Sequence, residues 1–219
     1  MPRLPIEDVL PTLYRTLTDG RNALLTAAPG AGKTTRVPLA LLDSRWLDGK
    51  RLLMLEPRRL ATRAAAHRMA GTLGETVGQT VGYRMRLDTN IGPKTRIEVV
   101  TEGILSRLLQ QDPALSEYAI VLFDEFHERS LQSDTGLALC LEAQRLFRSD
   151  LRILVMSATL DCGPIASLLG HAPVIISEGK MFPVEIRYLD RPLSGHLDAA
   201  VVQSIRRSLA QDHGSLLVF

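Results

Sequence analysis

Residues 24–35 read LLTAAPGAGKTT, and this stretch decides the fold. The apolar residues at its start have the pattern of a strand, and a helical pattern begins at Lys33. Between them the sequence matches the phosphate-binding loop G-x-x-x-x-G-K-[ST], except that Ala27 stands where the strict pattern has glycine. Since such a loop joins a strand to a helix, the stretch predicts a nucleotide-binding α/β domain.

The residues of this loop have distinct expected roles in holding a nucleotide. Gly30 and Gly32 let backbone N–H groups turn inward around phosphate oxygens. Lys33 reaches the terminal phosphates, and the Thr34 hydroxyl binds a Mg²⁺ ion. The predicted nucleotide-binding residues of the loop are Ala28, Pro29, Gly30, Ala31, Gly32, Lys33, Thr34 and Thr35.

A second stretch, LFDEFHERS at residues 122–130, supplies acidic residues that suit the same chemistry. The apolar run 119–123 predicts a buried strand, yet two adjacent carboxylates, Asp124 and Glu125, follow it. Burying two like charges is costly unless a cation lies opposite them. We therefore predict a Mg²⁺ ion between Thr34, a nucleotide and Asp124. Glu125 lies beside the metal in this prediction, where it orients and deprotonates the attacking water.

Composition and periodicity indicate the fold class. Hydrophobic residues make up 45% and charged residues 23%, which is typical of a soluble globular protein. Aromatic residues make up only 5%, so the core must be mostly aliphatic, as in parallel sheets. Strand-like and helix-like segments alternate along most of the chain, and they include predicted helices over residues 6–17 and 134–147 and a predicted strand over residues 80–87. This alternation predicts an α/β fold with a mostly parallel sheet and helices on both faces.

Beyond the last strand of that alternation the character of the sequence changes. Residues 184–189 read as an extended stretch, 198–209 as an amphipathic helix, and 215–219 as the start of a strand. We expect residues 1–180 to form the first domain. We expect residues 181–219 to be a connector and the truncated start of a second domain.

The two cysteines, Cys140 and Cys162, lack the spacing of metal ligands. Cys140 lies in an apolar helical stretch and is expected in the core. No disulfide framework is indicated, so a reducing, cytoplasmic location is expected. No apolar run has the length that spans a bilayer, and we therefore predict no membrane association.

The sequence DEFH at residues 124–127 resembles the D-E-x-H motif of DEAH-box helicases, with Phe126 where alanine is usual. Further stretches resemble other helicase motifs in the expected order, namely PRR at residues 57–59, TEG at 101–103 and SAT at 157–159. Five ordered motifs cover nearly the whole chain, which is thereby identified as a member of the DEAH/RHA group of superfamily 2. The phenylalanine in this motif and the ERS that follows it resemble the motif sequence of a bacterial branch of that group.

The resemblance implies a RecA-like domain of an ATP-hydrolysing RNA helicase, with ATP and Mg²⁺ as cofactors. Its partner would be single-stranded RNA, with DNA as the other candidate strand. The family role implied for Lys33, Glu125 and His127 is catalytic. The residues implied to connect the nucleotide site with the nucleic-acid site are His127, Ser157, Ala158 and Thr159.

The residues that the resemblance assigns to the grip on the sugar–phosphate backbone are Arg58, Arg59, Thr101 and Gly103. The two arginines open a predicted helix, where guanidinium and free N–H groups can both meet phosphate. Arg68 lies nine residues after Arg59, and an arginine at this spacing stacks on the adenine in DEAH relatives. Arg63 on the same helix is a competing candidate for that role.

The family also implies a partner domain. Nothing in this chain supplies a cation to the far side of the γ-phosphate, and in DEAH helicases arginines of a second RecA-like domain supply it. Such an arginine is worth about 10³ to 10⁵ in turnover. We therefore expect residues 1–219 to be monomeric, to bind Mg²⁺–nucleotide weakly and to hydrolyse it near the background rate.

One alternative from another class stays open at this level. A P-loop ATPase that remodels or secretes protein would explain Lys33, Asp124 and Glu125 equally well, although it would not explain the PRR, TEG and SAT stretches. A nucleotide switch without hydrolysis is disfavoured by Glu125. Arg129 and Asp134 are expected to form a local ion pair that supports the motif loop.

Overall fold

The computed structural model describes residues 3–20, 22–158, 162–179, 184–189, 196–211 and 214–218. The chain forms two compact units, Met1–Lys180 and Met181–Phe219. The first unit holds the phosphate-binding loop and the acidic strand end. Within the described residues, no helix of either unit is both long and apolar enough to cross a bilayer.

The strands of the first unit form one sheet. In chain order they are β1 (Ala23–Ala27), β2 (Arg51–Glu56), β3 (Val81–Met85), β4 (Asp88–Asn90), β5 (Ile97–Thr101), β6 (Tyr118–Phe123), β7 (Arg152–Ser157) and β8 (Val174–Ser177). Their order across the sheet is β4-β3-β5-β2-β6-β7-β1-β8. Only β3 and β4 pair antiparallel. The predicted mostly parallel sheet is confirmed, and β7 lies between β6 and β1.

The α-helices are α1 (Leu10–Thr18), α2 (Lys33–Leu41), α3 (Arg59–Thr72), α4 (Glu102–Gln111), α5 (Leu131–Leu146) and α6 (Cys162–Leu168), with α7 (Leu197–Gln211) in the second unit. Shorter 3-10 turns occupy Pro5–Asp8, Arg45–Leu47 and Phe126–Glu128. Buried residues of α1, α2 and α3 pack on one face of the sheet, and those of α4, α5 and α6 pack on the other.

The core explains why the strands read as unbroken apolar runs. Leu24 and Leu25 are successive residues of β1, and they belong to clusters on opposite faces of the sheet. The same division separates Leu122 from Phe123 on β6. Because side chains alternate along a strand, a strand covered on both faces needs apolar residues at every position.

Several element boundaries differ from the predicted ones for local reasons. The predicted helix over residues 6–17 is a 3-10 turn followed by α1, which has Pro11 in its first turn, a position where proline costs no hydrogen bond. Helix α5 begins three residues before the predicted Asp134, because the Ser130 hydroxyl accepts a hydrogen bond from the Ser133 N–H at 2.9 Å.

Two further strand predictions need correction. The predicted strand over residues 80–87 is the hairpin of β3 and β4, with Leu87 in a left-handed conformation at its turn. The described residues 215–218 of the predicted strand start 215–219 form no strand, and the extended stretch 184–189 is not part of a sheet either. A strand needs a neighbour to share its backbone hydrogen bonds, and the described part of the second unit offers these segments no strand to pair with.

A buried ion cluster joins four strands near the sheet edge where β2 and β6 begin. Glu98 on β5 is fully buried and accepts a hydrogen bond from the Tyr118 hydroxyl at 2.9 Å. Arg84 Nε lies 2.9 Å and Arg51 Nη1 lies 3.8 Å from its carboxylate, and the Arg84 contact is an ion pair without hydrogen-bond alignment. Burial, followed by the Glu98 charge, raises the pKa of Tyr118, so this phenol stays a neutral donor.

The hairpin packing can be tested at Gly82. A Cβ there would lie 2.6 Å from the backbone oxygen of Asn90 and 2.9 Å from Ile91 Cγ2. We expect Gly82→Ala to lower the free energy of unfolding by about 1–3 kcal/mol, because the backbone must shift. The matched control is Gly71→Ala on α3, where the new Cβ meets nothing within 4 Å.

The control should stabilise the chain by up to about 1 kcal/mol, because alanine is the better helix former. Urea unfolding of both variants measures the difference. Equal stabilities for the two variants would contradict the close approach of the hairpin.

Candidate active site

The loop between β1 and α2 has the backbone shape of a phosphate cradle. Gly30 and Gly32 have φ angles of 78° and 96°, in the left-handed region that favours glycine. The Gly32 carbonyl accepts hydrogen bonds from the N–H groups of Thr35 and Arg36, so α2 begins directly at the loop. The first N–H groups of this helix therefore have no acceptor within the helix and can bind an anion.

The alanine that departs from the strict loop pattern has a structural explanation. Ala27 is the last residue of β1 and is 1% exposed. Its methyl group belongs to the hydrophobic cluster under α1, α2 and α3. An alanine therefore fits at this position as a core residue, and the left-handed turns follow later in the loop.

The loop and the acidic strand end meet in the structure. Lys33 Nζ lies 2.7 Å from Glu125 Oε1, although the two residues are 92 positions apart in sequence. The Lys33 side chain is only 4% exposed, while that of Glu125 is 28% exposed. The buried ammonium group is therefore paired with the carboxylate that the sequence predicts to be the base.

Asp124 is the more buried of the two adjacent carboxylates. Its Oδ1 accepts a hydrogen bond from the Glu125 N–H at 2.9 Å. Its Oδ2 is buried and has no hydrogen-bond partner among the described residues. Burial raises the pKa of Asp124, while the Thr34 hydroxyl and the Lys33 charge act in the opposite direction. The group is therefore short of positive charge in the absence of a ligand.

A third carboxyl group, Glu56, lies beside Asp124 and was missed by the sequence reasoning. It ends β2, which pairs with β6, and it is 2% exposed. Burial, followed by the Asp124 charge and a hydrogen bond with Asp124, raises the pKa of Glu56 to about 9. Glu56 is therefore protonated at neutral pH. The available signal was its position, because Glu56 follows an apolar strand as Asp124 does.

The residues present fit a Mg²⁺ ion that is shared with a nucleotide. The orphaned Asp124 Oδ2 and the Thr34 hydroxyl are hard oxygen ligands beside the phosphate cradle. Among the described residues, no group of three or more His, Cys, Asp or Glu side chains could hold a metal ion alone. Mg²⁺ in proteins is usually bound through one or two carboxylates together with phosphates and water.

The 3-10 turn Phe126–Glu128 connects Glu125 to the end of β7. The Ala158 N–H donates to His127 Nδ1 at 3.3 Å, and the same Nδ1 lies 3.3 Å from Glu125 Oε2. An Nδ1 that accepts this hydrogen bond cannot also donate one to Glu125, so the contact with Glu125 is one of proximity. Ser157, which directly precedes Ala158, is fully buried. Thr159, the last predicted coupling residue, lies outside the described residues.

The predicted nucleic-acid contacts lie at one edge, because β2 and β5 pair in the sheet. Arg58 and Arg59 are exposed at the start of α3, and Thr101 and Gly103 lie at the start of α4. A Cβ on Gly103 would meet nothing within 4 Å, so its surface is open. The structure thus brings the four residues to adjoining helix starts at the carboxyl edge of the sheet.

The remaining arginines take separate positions. Arg63 pairs with Asp88 and lies over the Tyr83 ring, whereas Arg68 is exposed on α3. This geometry favours Arg68 over Arg63 as the adenine-stacking candidate. Arg129 forms the expected local ion pair with Asp134, with contacts of 3.0 and 2.7 Å. Cys140, predicted in the core, is fully buried.

Comparison with known proteins adds the following findings. Residues 7–167 match the family model described as DEAD/DEAH box helicase. The chain is 51% identical over 219 residues to the ATP-dependent RNA helicase HrpB of Escherichia coli, covering all of this chain and 27% of that protein. It is 34% identical over 217 residues to the pre-mRNA-splicing factor ATP-dependent RNA helicase prp22 of Schizosaccharomyces pombe, covering 99% of this chain and 18% of that protein.

Two crystal structures of E. coli HrpB match the fold at 50% sequence identity. One has a TM-score of 0.83 and covers 100% of this chain, and the other has a TM-score of 0.89 and covers 97%. In both cases the match covers 27% of the solved chain. The sequence-based likeness to a bacterial branch of the group is confirmed by these matches to HrpB, and this chain spans about a quarter of the HrpB length.

The support of the phosphate loop can be tested at Gly179. This residue follows β8, and a Cβ on it would lie 2.6 Å from Ala28 Cβ in the loop. We expect Gly179→Ala to displace the loop and to weaken nucleotide binding about fivefold or more, since overpacking costs about 1–3 kcal/mol. Titration with a fluorescent ADP analogue measures the loss.

The control is the double variant Gly179→Ala with Ala28→Gly, in which the clashing methyl group is gone. It should bind the analogue more tightly than Gly179→Ala alone. The same weak binding in both variants would show that the contact does not position the loop.

The protonated Glu56 predicts a pH dependence of stability without nucleotide or divalent ions. The folded pKa of about 9 exceeds the ordinary value of 4.5, so this contribution is complete below pH 4.5 and is lost as the pH rises to about 9. Glu56→Gln keeps the shape and has no proton to lose. Urea unfolding between pH 5 and 9 should therefore show Gln gaining on the parent as the pH rises, whereas parallel curves would argue against a protonated Glu56.

Proposed function

Since this chain belongs to the DEAD/DEAH box helicase family, we propose that it is the ATP-binding lobe of an ATP-dependent RNA helicase or translocase of the DEAH group. The lobe binds Mg²⁺–ATP and couples hydrolysis to a grip on single-stranded RNA. The observation that supports this best is the 2.7 Å contact between Lys33 and Glu125, which brings the phosphate loop to the predicted base.

Nucleotide binding rearranges this ion pair. Without nucleotide, the ammonium group of Lys33 has the Glu125 carboxylate as its anion. The β- and γ-phosphates offer Lys33 a higher negative charge, and the free N–H groups of α2 bind the same phosphates. Lys33 then turns to the phosphates, and Glu125 is released. A Mg²⁺ ion held by Thr34 and Asp124 would neutralise charge on the phosphates.

The released Glu125 orients and deprotonates the attacking water. Its second oxygen faces His127 Nδ1, which also contacts the Ala158 N–H after β7. The base is thus connected to the segment that the family uses for coupling. We include Ser157 and Thr159 in this coupling group on the strength of the motif alone.

The nucleic-acid grip lies at the starts of α3 and α4. Arg58 and Arg59 supply guanidinium groups, while Thr101 and Gly103 allow close approach of a sugar–phosphate backbone. Contacts of this kind give affinity that depends on salt and is independent of base sequence. RNA is proposed as the strand because the relatives are named as RNA helicases.

The proposal also includes a second RecA-like lobe that supplies arginines to the γ-phosphate, and a cytoplasmic location. A P-loop ATPase acting on protein shares Lys33, Asp124 and Glu125. It leaves the exposed Arg58 and Arg59 and the open Gly103 without a role, and the relatives' names do not favour it.

The roles of Lys33 and Glu125 are separable by substitution. We expect Glu125→Gln to bind a fluorescent ATP analogue with Mg²⁺ as tightly as the parent, because the amide frees Lys33 and keeps its shape. Lys33→Ala should weaken that binding at least tenfold, roughly the value of one charge-assisted phosphate contact. Titration of the 219-residue chain measures both.

Hydrolysis is measured in a chain that includes the proposed second lobe, with and without poly(U). Glu125→Gln should abolish RNA-stimulated turnover, since an amide is not a base. Turnover at the parent rate would exclude Glu125 as the base. Turnover that poly(U) leaves unchanged in the parent would contradict the proposed RNA motor.

A further inference from the structure

The turn that follows Glu125 is held in an uncommon backbone shape. Glu125 and Arg129 have φ angles of 48° and 46°, so two left-handed residues bracket the 3-10 turn. Phe126 is 2% exposed and anchors the turn in the core. The two polar side chains of the turn face different neighbours, with His127 at Ala158 and Glu128 at α3.

The contact at α3 joins the turn to the proposed nucleic-acid edge. Arg58 Nη2 donates to Glu128 Oε1 at 3.0 Å. The Arg58 side chain is 72% exposed and that of Glu128 is 34% exposed, so the pair is accessible to a ligand. Both residues also line a cavity of about 290 Å³ that reaches Asp124 and Glu125. The nucleic-acid edge and the candidate base therefore border the same space.

The positive charge at the start of α3 explains why Arg58 pairs with Glu128, an acidic residue from a distant part of the sequence. The helix begins with two arginines and has no acidic residue in its first turn. A helix N-terminus favours negative charge, and two guanidinium groups increase that preference. In the described structure, the Glu128 carboxylate supplies the negative charge to Arg58 that a backbone phosphate would supply in a complex.

We propose that Glu128 occupies Arg58 in place of a nucleic-acid phosphate, and that the phosphate must displace it to bind. This inference rests on the proposed function, because it assumes that Arg58 contacts the strand. Since Glu128 lies three residues after Glu125 on the same turn, the exchange removes one tether of that turn when nucleic acid binds. Glu128 is thus a competitor of the phosphate for Arg58.

The strength of the contact suits an exchange of partners. Exposed ion pairs contribute little, so a phosphate loses only about two- to fivefold in affinity by competing with Glu128. A backbone phosphodiester carries one negative charge and two free oxygens, as a carboxylate does. The neighbouring phosphates of the strand add to the attraction for Arg58, so the strand wins the competition at low salt. Loss of the competitor should therefore raise affinity by this small factor and leave folding unchanged.

The test is a fluorescence anisotropy titration of the 219-residue chain with labelled oligo(U), without nucleotide, at low salt. Glu128→Gln should bind about two- to fivefold more tightly than the parent. The matched control is Asp134→Asn, which removes an equal charge from the neighbouring Arg129 pair and should bind like the parent. An equal gain in the control would reduce the effect to general electrostatics and overturn the proposal.

The double variant Arg58→Ala with Glu128→Gln should bind like Arg58→Ala alone, because the competitor acts only through Arg58. A gain from Glu128→Gln that persists without Arg58 would contradict the inference. If the parent chain and Glu128→Gln bind oligo(U) equally well, the competitor role of Glu128 is rejected, whereas the nucleic-acid edge is not. No binding by any variant would reject both the nucleic-acid edge and the competitor.

Amide hydrogen exchange provides a readout that a merely structural role would not move. Oligo(U) should speed exchange in residues 126–129 of the parent, since the phosphate releases the turn. In Arg58→Ala, oligo(U) should change the exchange rate of residues 126–129 only slightly. Unaltered exchange in parent chain saturated with oligo(U) would show that the turn is not released.

Discussion

Among the described residues, three carboxyl groups share the edge of one sheet with one buried ammonium group, and the rest of the site depends on this imbalance. Glu56 is uncharged because it keeps a proton, and the charge of Glu125 is balanced by its ion pair with Lys33. Asp124 is left with one oxygen unsatisfied among the described residues. Asp124 therefore lacks a positive partner, which the proposed Mg²⁺ ion would supply, while phosphate oxygens would accept hydrogen bonds from the free N–H groups of α2.

The order of the strands in the sheet brings these charged groups together. Strands β2, β6, β7 and β1 are adjacent and parallel, so their carboxyl ends meet at one edge. Ligands of open α/β sheets bind at that edge, where loops leave the strands and helices begin. The same arrangement places the starts of α3 and α4 at the same edge of the sheet as the phosphate loop. The turn after Glu125 thus lies between the candidate nucleotide site and the proposed nucleic-acid contacts, where it could connect the two.

Much of this could be predicted from the sequence, because the decisive signals are local. Apolar runs predicted the strands, and the loop glycines predicted the start of α2. Contacts that depend on strand pairing had no such signal. Glu56 precedes a proline and reads as a surface residue until β2 is placed beside β6. Glu128 has Arg58 as its partner 70 residues away. The start of α5 was misplaced because the Ser130 cap outweighs the periodicity that the prediction used.

The buried Glu98 cluster gives the other edge of the same sheet a different character. There a fully buried carboxylate is matched by two arginines and a phenol, and no ligand is needed to complete it. One edge thus balances its charges without a ligand, and the chemistry is confined to the opposite edge. Ala27 and Phe126, the two departures from the family patterns at that edge, are both buried and pack as core residues, so they leave the fold intact. The separation of stability from chemistry along each strand makes this architecture evolvable.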